Sequence, residues 1–397
     1  MTRRRRALLR LGPALLALGL GLSLTPAQAS GGAVSGSGGG SGAGAATTAR
    51  PPRPSYVPKI KHVFVINIEN KGYDETFGPG TASPYLAGKL RRKGVLLNSY
   101  YGTAHNSLPN YLAQISGQAP NLRTQLDCQA YVPFSSTGPD QAPGQAVGTG
   151  CVYPRKVRTL PRQMSRVGLT WRGYMQQMTR PCQHPKLGTA DPTQHASPGH
   201  NYAVRHDPFM YFKSIIRHPA YCRHHVRKLA DLKKDLERRS TTRNLTFITP
   251  DLCRDGHDDP CANGRTGGLA QVDRFLKVWA PRILASPAFK KNGMLIITAD
   301  ESDSPAGDSS ACCGETSGPN ILAGTGPGIV GPGGGKVGAL VISHFTRPNT
   351  WSTTPYNHYS LLASLAELYR LPKIGMAKVN GLPVFGLDVY NNGWWNR

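Results

Sequence analysis

Two pairs of oxygen-bearing side chains follow two strongly apolar stretches of the chain. Glu69 and Asn70 come directly after the stretch 63–68, and Asp300 and Glu301 follow a second such stretch. Continuous runs of aliphatic and β-branched residues predict buried strands. Carboxylate and amide oxygens at strand ends are ligands suited to a divalent cation. A simple turn explains the first pair equally well when it is taken alone, but the second pair after another buried strand favours a metal site.

Ser107 is the candidate nucleophile. A proline stands two residues after it and helix-forming residues follow, which is typical of a helix N-terminus. As the N-cap residue, Ser107 would lie beside free backbone N–H groups that can hold a phosphate, and a metal ion touching its oxygen would lower the pKa of the hydroxyl. A plain capping role is the alternative for this serine. Thr103 is a rival nucleophile that spacing alone does not exclude.

Four of the twelve histidines have polar or strand-end surroundings, namely His105, His206, His257 and His358. A site for phosphoryl transfer uses such groups to bind phosphoryl oxygens and to protonate the leaving alkoxide. Most histidines in proteins are surface or structural groups, so motif context is the basis for ranking these four. That context places His358 and His105 first.

The first 29 residues predict a secretory signal peptide. They contain five arginines and no acidic residue, then the apolar run 14–24 and a final Ala-Gln-Ala sequence typical of a cleavage site. An apolar core of this length is too short to span a bilayer. Two adjacent arginines also resemble a twin-arginine export signal. Because no later segment reaches the length of a membrane span, we expect an exported protein without a transmembrane segment.

Composition divides the rest of the chain in two. Residues 30–58 are rich in Gly, Ser, Ala and Pro, which predicts a flexible linker that buries no core. We expect residues 59–397 to form one elaborated catalytic domain, since their length is acceptable for a single large α/β unit. We find no internal repeat.

The chain is strongly basic. Of its 47 Lys and Arg residues, five lie in the signal peptide and 42 beyond it, together with all 22 Asp and Glu residues. Such an excess attracts phosphate esters, anionic lipid headgroups or acidic polymers. The positive charge is spread along the chain, with one dense cluster at 223–239. It therefore selects no single partner and indicates no specific binding of nucleic acid.

All eight cysteines lie beyond the signal peptide. An even number in an exported protein predicts disulfide bonds. Neighbouring cysteines in the sequence are the plausible partners: Cys128 with Cys151, Cys182 with Cys222, and Cys253 with Cys261. No C-x-x-C pair or His-Cys cluster indicates a structural zinc site.

Apolar runs and helical periodicity alternate along the chain. Predicted strands cover 63–68, 94–101, 169–175, 244–249, 293–298 and 337–343, and predicted helices cover 85–92, 223–239, 269–284 and 361–369. Alternation of this kind predicts an α/β fold with a largely parallel central sheet flanked by helices. In open sheets of this class, ligands bind at the carboxyl ends of the strands, where both oxygen-bearing pairs lie.

Five segments resemble, in order, the motifs of the bacterial phosphoesterase family that contains secreted acid phosphatases and non-haemolytic phospholipases C. They are 62–78, 105–113, 250–259, 296–301 and 356–362. The resemblance runs from about residue 60 to 372 and implies an alkaline-phosphatase-like α/β fold. It also implies a divalent metal held by Glu69, Asn70, Asp300 and Glu301, with Ser107 as nucleophile and further metal ligand. Supporting roles are implied for the four histidines His105, His206, His257 and His358.

The resemblance has departures. The common E-N-R-S-F-D sequence is E-N-K-G-Y-D here, so Lys71 and Gly72 replace an arginine and a small polar residue. None of the departures removes a proposed ligand. We expect no long C-terminal extension of the kind found in the larger phospholipases, which would make the chain more similar to the compact phosphatases.

We therefore expect a secreted, metal-dependent phosphomonoesterase of the acid-phosphatase type, acting on phosphoinositides or other organic phosphates through a phosphoserine. A phospholipase C-type phosphodiesterase is the first alternative. A non-catalytic protein that binds polyanions is the second, although binding alone needs no serine beside a metal.

Overall fold

The computed structural model describes residues 54, 56–314, 316–322 and 324–393. The strands are β1 His62–Ile68, β2 Val95–Leu97, β3 Tyr100–Tyr101, β4 Ala130–Tyr131, β5 Ser135–Ser136, β6 Gly148–Thr149, β7 Trp171–Met175, β8 Thr189–Ala190, β9 Val226–Lys228, β10 Leu245–Thr249, β11 Gly293–Ala299, β12 Ala339–Ser343, β13 Thr350–Ser352 and β14 Tyr356–Asn357. The α-helices are α1 Tyr73–Phe77, α2 Ser107–Ser116, α3 Leu160–Arg166, α4 Lys213–Ile216, α5 Pro219–His225, α6 Leu232–Asp235, α7 Gly268–Ala285, α8 Pro287–Asn292 and α9 His358–Tyr369.

Eight strands form the central sheet in the order β13-β2-β12-β11-β1-β10-β7-β9. The pairings β12 with β11 and β12 with β2 are antiparallel, and the other five are parallel. All seven residues of β1 and of β11 are buried, because helices cover both faces of a parallel sheet. The predicted α/β class with a largely parallel sheet is confirmed.

The register of β1 against β11 positions the two oxygen-bearing pairs. Ile68 pairs with Ala299, so the next residues along the two parallel strands are Glu69 and Asp300. The backbone N–H of Asp300 donates to the carbonyl of Ile68 at 3.0 Å, which continues the ladder past the strand ends. The two pairs therefore emerge side by side at one edge of the sheet.

The predicted helix 223–239 is wrong. α5 covers its start and α6 part of its second half, a short 3₁₀ helix at Leu229–Asp231 precedes α6, and β9 interrupts the helical residues. β9 pairs with the outer edge of β7, where Val226 stands opposite Gly173. Hydrogen bonding to the edge of β7 thus outweighs the helical propensity of this segment. The leucines of the helical pattern, Leu229 and Leu232, are nevertheless buried. Similarly, the predicted strand 94–101 is divided into β2 and β3.

Three predicted disulfides are confirmed, between Cys128 and Cys151, Cys182 and Cys222, and Cys253 and Cys261. The adjacent cysteines at 312 and 313 pair with each other. Four disulfides are consistent with an oxidising, extracellular compartment.

The predicted signal peptide, 1–29, lies outside the described residues, as does most of the predicted linker 30–58. The end of that linker packs against the domain: Val57 is buried, and the Tyr56 hydroxyl donates to Glu367 Oε2 at 2.8 Å. Within the described ranges, we find no helix that combines the length and hydrophobicity needed to cross a membrane.

Candidate active site

Glu69 is the centre of the candidate site. The Ser107 hydroxyl donates to Glu69 Oε2 at 2.8 Å, and the Tyr111 hydroxyl donates to Glu69 Oε1. Ser107 and Tyr111 are four residues apart in α2, so both side chains leave the same face of the helix. Tyr111 was missed at the sequence level, although its spacing from Ser107 indicated the shared face.

Ser107 is not the N-cap residue of α2, contrary to the prediction. Asn106 is the N-cap, with a left-handed φ of 66°, and Ser107 is the first helical residue. The amide of Leu108 is not free either, because it donates to Asp127 Oδ1 at 2.8 Å. The side chain of Asp127 thus occupies the helix N-terminus that the sequence had left open for a phosphate.

The second oxygen-bearing pair lies beside the first. The backbone N–H of Asn70, whose φ is 50°, donates to Asp300 Oδ1 at 3.0 Å. The carbonyl of Glu301 accepts the backbone N–H of Lys71 at 2.9 Å. Asn tolerates the left-handed region better than other non-glycine residues, and that conformation starts the turn after β1. The site therefore combines residues from the ends of β1 and β11 and from the start of α2.

Four carboxylates are buried in this region: Glu69, Asp255, Asp300 and Glu301. Burial raises the pKa of each, to about 6 for Asp300, and repulsion from Asp300 and Asp255 further raises that of Glu69. Throughout the described ranges, only histidines form ion-pair contacts with these four carboxylates. A cluster of like charges without a Lys or Arg partner is costly unless a cation compensates it.

Two buried oxygens of the predicted ligand set, Asn70 Oδ1 and Asp300 Oδ2, have no hydrogen-bond partner. Such atoms lose their hydration on burial and regain nothing in return. Hard oxygen donors of this kind, with clustered carboxylates around them, have the chemistry that a divalent cation requires. The residues present therefore fit a metal ion.

A second group of ligating side chains shares Glu69. Oxygen or nitrogen atoms of Glu69, His206 and Asp255 lie within 4.8 Å of one another. His206 Nδ1 lies 3.1 Å from Asp255 Oδ2, whereas His206 Nε2 has no hydrogen-bond partner and lies 3.4 Å from Glu69 Oε2. With the proton on Nδ1, the lone pair of Nε2 is available to a metal.

Asp255 was missed as a candidate, although it lies in the motif segment 250–259. Its loop folds back over the end of β1, where the Asp255 carbonyl accepts the Glu69 backbone N–H at 2.8 Å. The next residue, Gly256, has a φ of 112°, and a Cβ there would lie 3.0 Å from the Glu69 carbonyl oxygen. Only glycine permits this approach without strain.

His105 and His358 are buried, with both ring nitrogens engaged. His105 bonds to the Glu301 carboxylate and to the carbonyl of Asp308, and His358 bonds to the Tyr100 hydroxyl at 3.1 Å and to the Asp300 carbonyl at 2.6 Å. Burial lowers the pKa of His358 to about 4 and also lowers that of His105. These contacts suit positioning of Asp300 and Glu301.

His257 is the most open of the four histidines, with a side chain that is 31% exposed. Its ring lies 5.8 Å from that of His206, and its Nε2 lies 3.1 Å from Arg205 Nη2. Arg205 also approaches Asp127 at 3.8 Å. Of the four histidines, His206 lies beside Glu69, His105 and His358 lie beside Glu301 and Asp300, and only the ring of His257 is substantially exposed.

Asp207, next to His206, is a buried carboxyl group whose pKa should make the stability of the fold depend on pH. Tyr202 donates to its Oδ2 at 3.0 Å, its Oδ1 has no partner, and burial raises its pKa to about 8. An unfolded Asp titrates near 3.9, so between about pH 4 and pH 8 the folded chain keeps a proton that the unfolded chain has already released. Stability from this group is present in acid and is lost as the pH rises through 8.

We expect Asp207→Asn to remove this dependence. The free energy of unfolding of the variant, relative to the parent, should rise between pH 5 and pH 8 with a slope approaching about 1.4 kcal/mol per pH unit. Urea titrations at a series of pH values, with the disulfides intact, measure the slope. Parallel stability profiles for the two proteins would show that Asp207 is already ionised in the folded chain.

The sequence of this chain matches a known protein family. Residues 80–372 match the model of the Phosphoesterase family. The chain is 25% identical over 299 residues to the phosphate-repressible acid phosphatase of Penicillium chrysogenum, which is 75% of this chain and 57% of that protein. It is 22% identical over 333 residues to the phosphatidylinositol-3-phosphatase of Mycobacterium tuberculosis, 83% of each chain. The chain spans 55–59% of the length of three fungal acid phosphatases that it matches.

A solved structure described as a protein in the alkaline phosphatase superfamily, from Vibrio parahaemolyticus, aligns over 85% of this chain and 73% of its own, with 11% identity and a TM-score of 0.49. The family assignment depends on the sequence match, which covers most of the chain and includes Ser107, Asp255 and Asp300. The protein belongs to the Phosphoesterase family.

Proposed function

We propose that this protein is an exported, metal-dependent phosphomonoesterase that uses Ser107 as its nucleophile. The observation that carries the proposal is the Ser107 hydroxyl, which donates to Glu69 at 2.8 Å within a buried cluster of carboxylates. The acid phosphatases and the phosphatidylinositol-3-phosphatase among its relatives support the monoester class. The disulfides support a location outside the cytoplasm.

Glu69, Asn70, Asp300 and Glu301, together with Ser107, would hold the cation. The unpartnered oxygens of Asn70 and Asp300 support this set. A bound divalent cation supplies a charge that polarises the phosphoryl group and lowers the pKa of the serine hydroxyl. Tyr111 keeps the Glu69 carboxylate in place through its hydroxyl.

Ser107 Oγ attacks phosphorus in line with the ester oxygen, the P–O ester bond breaks, and a phosphoserine forms. Water then attacks phosphorus and gives a proton to the histidine that protonated the leaving oxygen, the P–Oγ bond breaks, and inorganic phosphate leaves as Ser107 regains its proton. The proton of Ser107 points at Glu69 Oε2 from the start. We assign His257 as the donor to the leaving oxygen, because its side chain alone among the four predicted histidines is substantially exposed. Its Nδ1 lies 2.8 Å from Asp258 Oδ1, so Nε2 would carry the transferred proton after leaving Arg205. His206 lies beside Glu69 and is held by Asp255, His105 positions the Glu301 carboxylate, and His358 positions the backbone of Asp300.

A panel of three substrates tests the monoester assignment. We expect kcat/KM for p-nitrophenyl phosphate to exceed that for bis-p-nitrophenyl phosphate by at least about a hundredfold, since a diester carries a second organic group and one fewer negative charge. Phosphatidylcholine should be a poorer substrate still. Initial rates under one set of conditions measure the order. A preference for phosphatidylcholine or the diester would instead assign the phospholipase C-type activity.

A further inference from the structure

A basic cleft of about 400 Å³ lies apart from the candidate active site, and none of the active-site residues lines it. Five cationic side chains line the cleft: Arg155, Lys156, Arg158, Arg162 and Arg166. The last two are one helical turn apart in α3, so they leave the same face of that helix. The volume falls within the range of small-molecule sites, about 300–1,000 Å³.

These charges are largely uncompensated. No acidic residue lines the cleft, and within the described ranges only Lys156 of the five has an ion pair, with Asp140 at 2.8 Å. Like charges one helical turn apart repel each other. The arrangement costs stability in the free protein, and a bound polyanion would remove that cost.

Two polar side chains in the cleft wall support a ligand independently of the charges. Gln163 is 9% exposed, and its Oε1 is buried without a hydrogen-bond partner, although its Nε2 donates to the Pro372 carbonyl at 3.1 Å. The hydroxyl of Ser214 is also buried without a partner. A phosphoryl oxygen can accept a hydrogen bond from the Ser214 hydroxyl, and an arginine that binds the ligand can donate a hydrogen bond to Gln163 Oε1.

We propose that this cleft is a second anion site, which binds a small ligand with two or more phosphoryl groups. Arginine is suited to this class because its planar guanidinium bonds two phosphoryl oxygens at once. The ligand is a free oligophosphate or the multiply phosphorylated headgroup of a lipid, which present the same chemistry. The site requires neither Ser107 nor a metal, so its binding is separable from the proposed hydrolysis.

The test uses the full chain with Ser107→Ala, which prevents turnover, and sodium tripolyphosphate as the probe in isothermal titration calorimetry. Adding Arg158→Gln and Arg166→Gln should weaken binding by at least about tenfold, because hydrogen bonds from charged donors are lost. Both arginines are exposed and form no internal ion pair in the described part of the chain. Ser214→Ala should weaken binding by a smaller factor.

The matched control is Arg238→Gln with Arg239→Gln, two exposed arginines outside the cleft that give the same change in net charge. Sedimentation with phosphatidylcholine vesicles containing phosphatidylinositol bisphosphate separates the two sources. Cleft-dependent binding of tripolyphosphate alone assigns a free oligophosphate, and cleft-dependent binding of vesicles assigns a lipid headgroup. Equal affinities of the cleft and control variants for both probes would overturn the proposal.

Discussion

Replacing Ser107 with alanine will lower kcat/KM for p-nitrophenyl phosphate by at least about a thousandfold, because it removes the oxygen that attacks phosphorus. The serine is 2% exposed and its hydroxyl donates to Glu69 Oε2. The substitution leaves Glu69 bonded to Tyr111, so the site should keep its shape. Initial rates, with circular dichroism to verify folding, measure the effect.

Ser116→Ala is the matched control, since Ser116 lies in the same buried helix and its hydroxyl only donates to the Leu112 carbonyl and accepts the Gln118 backbone N–H. It should keep an activity close to that of the parent. A folded Ser107→Ala protein with full activity would exclude the serine mechanism. Thr103 is then the rival hydroxyl, and in the structure that hydroxyl donates to Asn110 Oδ1 at 3.1 Å.

Asp300→Asn should lower the affinity for the activating divalent cation by at least about a hundredfold, which exceeds the usual cost of losing an outer-shell contact. Asparagine keeps an oxygen that can accept the Asn70 backbone N–H, now bonded at 3.0 Å, but it removes one negative charge. We would measure metal content after gel filtration and affinity by calorimetry with Mn²⁺, Zn²⁺ and Ca²⁺. Loss of hydrolysis should accompany loss of metal.

Asp303→Asn is the control, because Asp303 is exposed and lies three residues along the same loop. Asp255→Asn separates the two groups of ligands that meet at Glu69. If Asp255→Asn lost the metal and Asp300→Asn retained it, the cation would belong to the group of Glu69, His206 and Asp255. Our proposed ligand set would then be wrong.

The side-by-side position of the two oxygen-bearing pairs was predictable because it depends on a local pattern. A buried parallel strand has a recognisable apolar run, and whatever follows it lies at the carboxyl edge of the sheet. Glu69 and Asp300 follow such runs, and in-register pairing of β1 with β11 is enough to bring them together. The confirmed disulfides also join cysteines that are neighbours in sequence, the shortest separated by 8 residues.

Other contacts could not be read from such patterns because they join distant segments. His105 bonds to Glu301, which is 196 residues away in the sequence. Asp127 accepts the Leu108 amide from a loop whose conformation no sequence periodicity predicts. The predicted helix 223–239 failed for the same reason, since the edge of β7 offered its backbone hydrogen bonds to β9.

Amino-acid order alone thus indicated the α/β class, the ends of the two strands and the serine that faces them, since each is a property of one segment and its periodicity. Tertiary packing decided which histidine stays open, that Asp255 joins Glu69, and that Asp127 occupies the start of α2. Those outcomes depend on burial and on partners supplied by other loops, and both arise only when the chain has folded.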